Sequence, residues 1–189
     1  MGRKYVFIDR DGVINKDPAG WTEYGYVTTP EDFRVIEGVP EAIKIFTDAG
    51  YGCVIISNQQ GVGKGYFSQE ELRKVTEKMN SIIEDAGGKI EKAYYCTHTR
   101  EEKCPCRKPR TGLFLKARQD LGIEDLDGKF YIGDTERDIL AGKNAGLKTV
   151  LVLSGKDTKR DAEDWKEKPD YISKDLREAA ELIVKGAYV

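Results

Sequence analysis

Lys4-Tyr5-Val6-Phe7-Ile8-Asp9-Arg10-Asp11-Gly12-Val13-Ile14-Asn15 is an apolar run that ends in two carboxylates one residue apart and then a glycine. A short run this rich in β-branched and aromatic residues reads as a strand buried on both faces. Two acids at the point where such a strand gives way to a loop are costly to hold side by side. A hard divalent cation such as Mg²⁺ would stabilise them, because it takes oxygen ligands and keeps positions for water and a phosphate. With the charge partly neutralised, one carboxylate can attack phosphorus while the other moves protons. A polar turn, with Asp favoured for its turn chemistry, is the plain alternative for either acid taken singly.

Further apolar runs lie at about 52–57, 92–95, 129–133 and 148–153, and helical patterns separate most of them. Pro40 to Ala49 carries Ala42, Ile43, Ile45 and Phe46. Ser68-Gln69-Glu70-Glu71 reads as a capping box ahead of Leu72, Val75, Met79, Ile82 and Ile83, and Gly87-Gly88 stops that helix. Thr111 to Leu121, Glu136 to Ala145 and Lys174 to Val184 complete the set. This alternation predicts an α/β fold: a three-layer, mainly parallel sheet with helices on both faces. The expectation is one domain over 1–189 with no separate cap domain, partly covered by loops 16–33 and 96–107. Ligands in such sheets bind beyond the carboxyl ends of the strands, and Asp9, Ser57 and Asp134 each follow a predicted strand.

Charge narrows the partners. Lys and Arg number 31 and Asp and Glu 33, for a net charge of -2, so no broad positive field draws nucleic acid or an anionic membrane. Any anion must be bound locally. The absence of an apolar signal core or of a spanning segment of ~20 residues leads to the expectation of a soluble, cytoplasmic protein, and a monomer is expected. Gly61-Val62-Gly63-Lys64-Gly65 resembles a phosphate loop but has Asn58 and Gly65 where the Walker pattern needs Gly and Ser or Thr. It is either a flexible turn facing the substrate or an ordinary glycine-rich turn.

Three of the four cysteines, Cys96, Cys104 and Cys106, fall beside His98, the one histidine, whereas Cys53 sits apart in an apolar run. Three thiolates and an imidazole complete the tetrahedral ligand set of a structural Zn²⁺. A redox Cys-x-Cys, or unrelated thiols in a loop, are the competing readings. Redox pairing leaves Cys96 and His98 without a role, and a reducing cytosol disfavours a static disulfide.

In chain order, then, come an Asp-x-Asp (Asp9, Asp11), a strand-end hydroxyl (Ser57), a lysine in Arg107-Lys108-Pro109, and the strand-end acid of Gly133-Asp134. This set resembles the haloacid dehalogenase superfamily of phosphatases over roughly residues 4 to 155. The variant Asp-Arg-Asp-Gly-x-Ile-Asn with Cys-x-His and Cys-x-Cys-Arg-Lys-Pro is similar to the zinc-loop branch that contains D-glycero-D-manno-heptose 1,7-bisphosphate phosphatase and histidinol-phosphate phosphatase. The resemblance implies that Asp9 forms an aspartyl-phosphate and that Asp11 is first acid and then base. It implies Asp9, Asp11 (through its backbone carbonyl) and Asp134 as Mg²⁺ ligands, and Cys96, His98, Cys104 and Cys106 as Zn²⁺ ligands. Ser57 would hold a phosphoryl oxygen and Lys108 would supply fixed positive charge. Substrate contacts fall to Asn15, Asp17, Asn58, Gln59, Arg107 and Thr135, with Arg107 at the far end of the substrate.

Residue readings leave some roles open. Ser57-Asn58 could be a cap or turn, Lys108 an exposed lysine, Asp134-Thr135 a helix N-cap, and Asp138 either a support for the metal or a solvated acid. The stretches Gly25-Tyr26-Val27 through Asp32-Phe33 and Glu37-Gly38-Val39 resemble the heptose bisphosphatase, which implies a heptose bisphosphate as the small phosphate ester. The longer run Asp17 to Tyr24, and Thr135 in place of lysine, keep histidinol phosphate as the alternative, with Glu23 or Glu31 for its cation. A zinc-stabilised binding module without catalysis is the alternative of a different class.

Overall fold

The computed structural model describes residues 3–188. Strands β1 (Lys4–Ile8), β2 (Tyr51–Asn58), β3 (Ile90–Cys96), β4 (Phe130–Gly133), β5 (Lys148–Val152) and β6 (Tyr171–Ser173) form one sheet in the order β3-β2-β1-β4-β5-β6. Every neighbouring pair is parallel. Alternate residues of β1 serve opposite layers, which is why Tyr5 to Ile8 are all buried and none is charged. Val6 and Ile8 pack with α1 (Val39–Asp48), α2 (Gln69–Asp85) and α6 (Leu176–Val184). Tyr5 and Phe7 pack with α3 (Gly112–Asp120) and α4 (Glu136–Asn144).

The capping box at Ser68 forms as the spacing predicts: Ser68 N–H donates to Glu71 Oε2 at 2.6 Å and Glu71 N–H to Ser68 Oγ at 3.1 Å. Two elements were not expected. Helix α5 (Lys159–Asp164) is six residues with one buried apolar side chain, Ala162, and β6 is three residues long. Neither is long enough to display a period. Between β1 and α1 the chain carries only a short 3₁₀ turn, Pro30–Asp32, so the long loop there is not a cap domain.

From β1 the chain steps outward through β2 to β3, then returns to the other side of β1 for β4 to β6. The strand order therefore reverses between β1 and β4, whose carboxyl ends open the crevice where such sheets bind ligands. Asp9 N–H donates to Ile132 O at 2.9 Å across this point.

Candidate active site

A cleft of about 300 Å³ lies over that reversal and is lined by Asp9, Asp11, Ser57, Lys108, Asp134 and Asp138. Asp9 leaves β1, Ser57 belongs to the end of β2, and Asp134 follows β4. Lys108 comes from the loop between β3 and α3 and is buried. Its Nζ meets Asp138 Oδ1 at 2.6 Å, Asp9 Oδ1 at 2.9 Å, the Tyr131 hydroxyl at 2.7 Å and Ile56 O at 3.1 Å. A lysine with this shell is not the solvated residue that the sequence left possible. Asp138 is not the solvated acid of the two alternatives: it is buried, and takes Lys108, Tyr131 and Thr135 as donors.

Carboxylate oxygens of Asp9, Asp134 and Asp138 lie within 4.8 Å of one another. Burial pushes the Asp9 carboxyl up to about 7, against Lys108 and with help from Asp138 and Asp11. Asp134 is raised well above the usual carboxylate range, by burial first and then by Asp138 and Asp9. Lys108, working against burial, holds Asp138 below its usual value. Asp134 Oδ2 accepts from Lys156 N–H at 2.9 Å, but Oδ1 is buried without a hydrogen-bond partner. A Cβ on Gly12 or Gly155 would come within 2.1 Å of Asp134 Oδ2, so both positions require glycine for the backbone to close around that carboxylate. An orphaned carboxylate oxygen among clustered acids fits a hard divalent cation.

Asp11 is held differently. Its Oδ1 accepts from Arg10 Nη2 at 3.0 Å and Asn15 Nδ2 at 2.9 Å, and its Oδ2 from Gln59 Nε2 at 2.8 Å. This corrects two expectations. Asn15 and Gln59 were assigned to substrate, but both are fully buried, outside the cleft lining, with their amides turned to Asp11. The Arg10 guanidinium is buried against that same carboxylate. Thr135 lines the cleft, yet its hydroxyl donates to Asp138 Oδ2 at 2.5 Å, a commitment made by its place ahead of α4. Asp17 and Asn58 do reach the cleft, and Asn58 also fixes the Lys108 backbone through Lys108 N–H to Oδ1 at 3.0 Å.

Arg107 lines the same cleft, joined by two cations that the sequence reading missed, Arg137 and Lys156. Burial, then Arg137, lowers the Arg107 guanidinium from its ordinary value, and its Nη1 is buried without a hydrogen-bond partner. Arg137 sits in the first turn of α4 and Lys156 just past β5. Both lie four residues beyond a strand end, so a search of the whole segments after β4 and β5, beyond the first residue, could have flagged them.

At the edge of the cleft, Cys96, His98, Cys104 and Cys106 converge. Their Sγ atoms are 3.2 to 3.5 Å apart and His98 Nδ1 is 3.2 Å from Cys106 Sγ. Tetrahedral zinc with Zn–S of ~2.3 Å spaces thiolates by about 3.8 Å, so the cluster needs little expansion. The glycine turn packs here: a Cβ on Gly63 would come within 2.5 Å of Thr97 O, and one on Gly61 within 2.4 Å of the Phe67 ring. Its glycines serve close approach, and Gln60 is its neighbour at the cleft, with Nε2 donating to the Tyr26 hydroxyl at 2.9 Å.

A HAD-hydrolase-like family model matches residues 105–179. The D-glycero-beta-D-manno-heptose-1,7-bisphosphate 7-phosphatase of Haemophilus ducreyi is 43% identical over 164 residues, 82% of this chain and 86% of that one. The enzyme of the same name from Pasteurella multocida is 37% identical over 188 residues, 96% and 97% of the two chains. The chain belongs to this family of HAD-like phosphatases. Among solved structures, D,D-heptose 1,7-bisphosphate phosphatase from B. bronchiseptica, complexed with magnesium and phosphate, superposes with a TM-score of 0.87 at 29% identity, covering 97% of this chain and 99% of that one. The protein is accordingly a phosphoric monoester hydrolase.

One consequence concerns pH. Asp9 and Asp134 hold protons more tightly in the folded protein than in the unfolded chain, so they favour folding at low pH. That contribution is lost as pH rises from about 4 through the Asp9 value of about 7. Asp138 is shifted downward, so its contribution changes only in more acidic solution. With EDTA present, wild type should lose melting temperature relative to Asp9→Asn between about pH 5 and 7.5, and Mg²⁺ should restore it most at the higher pH. A constant difference between the two proteins across that range would contradict the assignment.

Proposed function

We propose that the protein hydrolyses a sugar bisphosphate, D-glycero-β-D-manno-heptose 1,7-bisphosphate, through an aspartyl-phosphate on Asp9. The observation that carries the substrate class is the cationic wall of the cleft. Arg107 and Arg137 repel one another, and Arg107 Nη1 is buried without a partner, an arrangement that a second phosphate would relieve. The names of the relatives support the same substrate.

Asp9 attacks phosphorus, the ester P–O bond breaks, and Asp11 gives its proton to the departing alkoxide. Asp11 then takes a proton from water, whose oxygen attacks the same phosphorus. The Asp9–P bond breaks and inorganic phosphate leaves. Ser57 holds a phosphoryl oxygen, and Lys108, already paired with Asp9, faces the developing charge. Asp9, Asp134 and the Asp11 carbonyl would hold Mg²⁺, with Asp138 kept to Lys108. When bound, the ion supplies neutralisation of phosphoryl charge. Asn58, Asp17 and Thr135 border the space for the sugar.

Arg107→Ala should raise KM for the bisphosphate by an order of magnitude or more, since a charge-assisted hydrogen bond contributes about 1.5 to 3 kcal/mol, while barely changing hydrolysis of a small aryl phosphate. Equal losses on both would place Arg107 at the scissile phosphate. A preference for histidinol phosphate over every sugar bisphosphate would overturn the substrate.

Zn²⁺ on Cys96, His98, Cys104 and Cys106 would fix the loop that carries Arg107 and Lys108. Purified protein should contain about one equivalent, and Cys104→Ser should lose zinc, melting temperature and activity together. Zinc-free protein of full activity would remove the site. We read the chain as one domain acting as a cytoplasmic monomer. Among the described residues no helix is long and apolar enough to cross a membrane.

A further inference from the structure

Asp11 has more donors than a surface acid would need, and two of its three partners are amides whose side chains the cleft does not reach. Arg10 Nε and Nη2 lie 3.2 and 3.0 Å from Oδ1, and Nη2 is also 3.2 Å from Oδ2. Asn15 Nδ2 joins Oδ1 at 2.9 Å and Gln59 Nε2 joins Oδ2 at 2.8 Å. Arg10, Asn15 and Gln59 are each 0% exposed, whereas the Asp11 side chain is 23% exposed at the cleft. Each partner comes from a different constraint: Arg10 from the β1 exit, Asn15 from the turn closed by Gly12 N–H to Asn15 O at 2.7 Å, and Gln59 from the β2 exit, where its N–H donates to Cys96 O at 2.7 Å. In this orientation the Gln59 NH₂ donates to the ionised form of Asp11, the form that acts as base. That leaves Oε1 buried without a partner, a cost borne to aim the donor at Asp11.

We infer that Gln59, with Arg10 and Asn15, is a positioning residue that holds the Asp11 carboxylate at the leaving-group oxygen, and that it acts on turnover through Asp11 alone. The inference rests on Asp11 being the acid and base of the proposed reaction. Gln59 Nε2 also lies 3.1 Å from Ser57 Oγ, which gives a rival route, through phosphoryl binding. The two routes separate by leaving group. An alkoxide needs a proton from a well-aimed acid, whereas a good aryl leaving group departs without one, and every ester needs the phosphoryl contact.

The test is Gln59→Met, which keeps the volume and removes the amide. On an alkyl phosphate, kcat should fall roughly thirtyfold with KM within about threefold, because misplacing a reacting group by about 1 Å can cost 10²-fold. Aryl alcohol release in a single turnover with enzyme in excess should stay within about threefold of wild type. The double variant Asp11→Asn with Gln59→Met should be no slower than Asp11→Asn alone, since a residue acting only through Asp11 has nothing further to lose. Equal losses on alkyl and aryl esters, or additive losses in the double variant, would overturn the inference. Asp11→Asn impaired beside an unimpaired Gln59→Met would sink the positioning role and leave the reaction intact. Asp11→Asn at full alkyl turnover would sink the acid-base reading itself. Should Gln59→Met not fold, Asn15→Ala, which removes the other amide, is read by the same three measurements.

Discussion

Asp9→Asn is expected to abolish phosphate release, with kcat down by about four orders of magnitude or more, as losses of a nucleophile run elsewhere. The amide has the same shape but no charged oxygen with which to attack phosphorus, and no other described carboxylate stands in its place. Asp138 is tied to Lys108, Tyr131 and Thr135, and Asp11 to Arg10, Asn15 and Gln59. The fold should survive, because Lys108 keeps Asp138 and the Tyr131 hydroxyl as partners. Above about pH 7 the variant should melt at or above wild type when metal is chelated, since it removes a carboxyl whose ionised form burial disfavours. Rapid quench with labelled substrate should then find no phosphoryl-enzyme. Turnover within about tenfold of wild type would end the aspartyl-phosphate mechanism.

Lys108→Met should be worse for the molecule as a whole. The thioether matches much of the stem, but among the described residues the ammonium is the one cation that pairs with both Asp9 and Asp138. Its loss strands buried acids beside Asp134, and removing one partner from a buried ion pair destabilises by about 3 to 5 kcal/mol. Burial alone would then drive Asp138 towards its neutral form, reversing the downward shift that Lys108 imposes. Activity should fall at least about a thousandfold, since the cation also faces charge that develops on phosphorus. Chemical denaturation and kcat/KM measure the two effects separately. A variant as stable as wild type would mean that Lys108 is not the electrostatic keystone the distances describe.

Where both effects meet, the sequence and the structure divide the explanation. The apolar runs that end at Ile8, Ile56 and Gly133 are legible because each is buried on both faces and has no polar interruption, and the residues just beyond them are where such a sheet exposes chemistry. The same reasoning picks out Asp9, Asp11, Ser57 and Asp134. The four-ligand set Cys96, His98, Cys104 and Cys106 is legible too, because metal ligation constrains residue type and local spacing, and its atoms do converge. Strand β6 and helix α5 left no mark because three and six residues cannot display a period.

Roles that depend on which way a side chain turns were not in the sequence. Asn15 and Gln59 look like polar residues aimed at a substrate, yet burial gives their amides a better partner in Asp11. Asp138 reads as equally suited to metal or solvent until β4 and α4 are packed, which places it 2.6 Å from an ammonium that arrives from the loop between β3 and α3. Arg137 becomes significant only beside Arg107, from a different element. Sequence by itself determined the first five strands, the crevice and the residue types at its edge, because burial pattern and ligand chemistry are local. Tertiary structure decided which acid faces the cleft, which holds the lysine and which amides hold Asp11, because a buried charge takes whichever donors the packing of separate elements brings within reach.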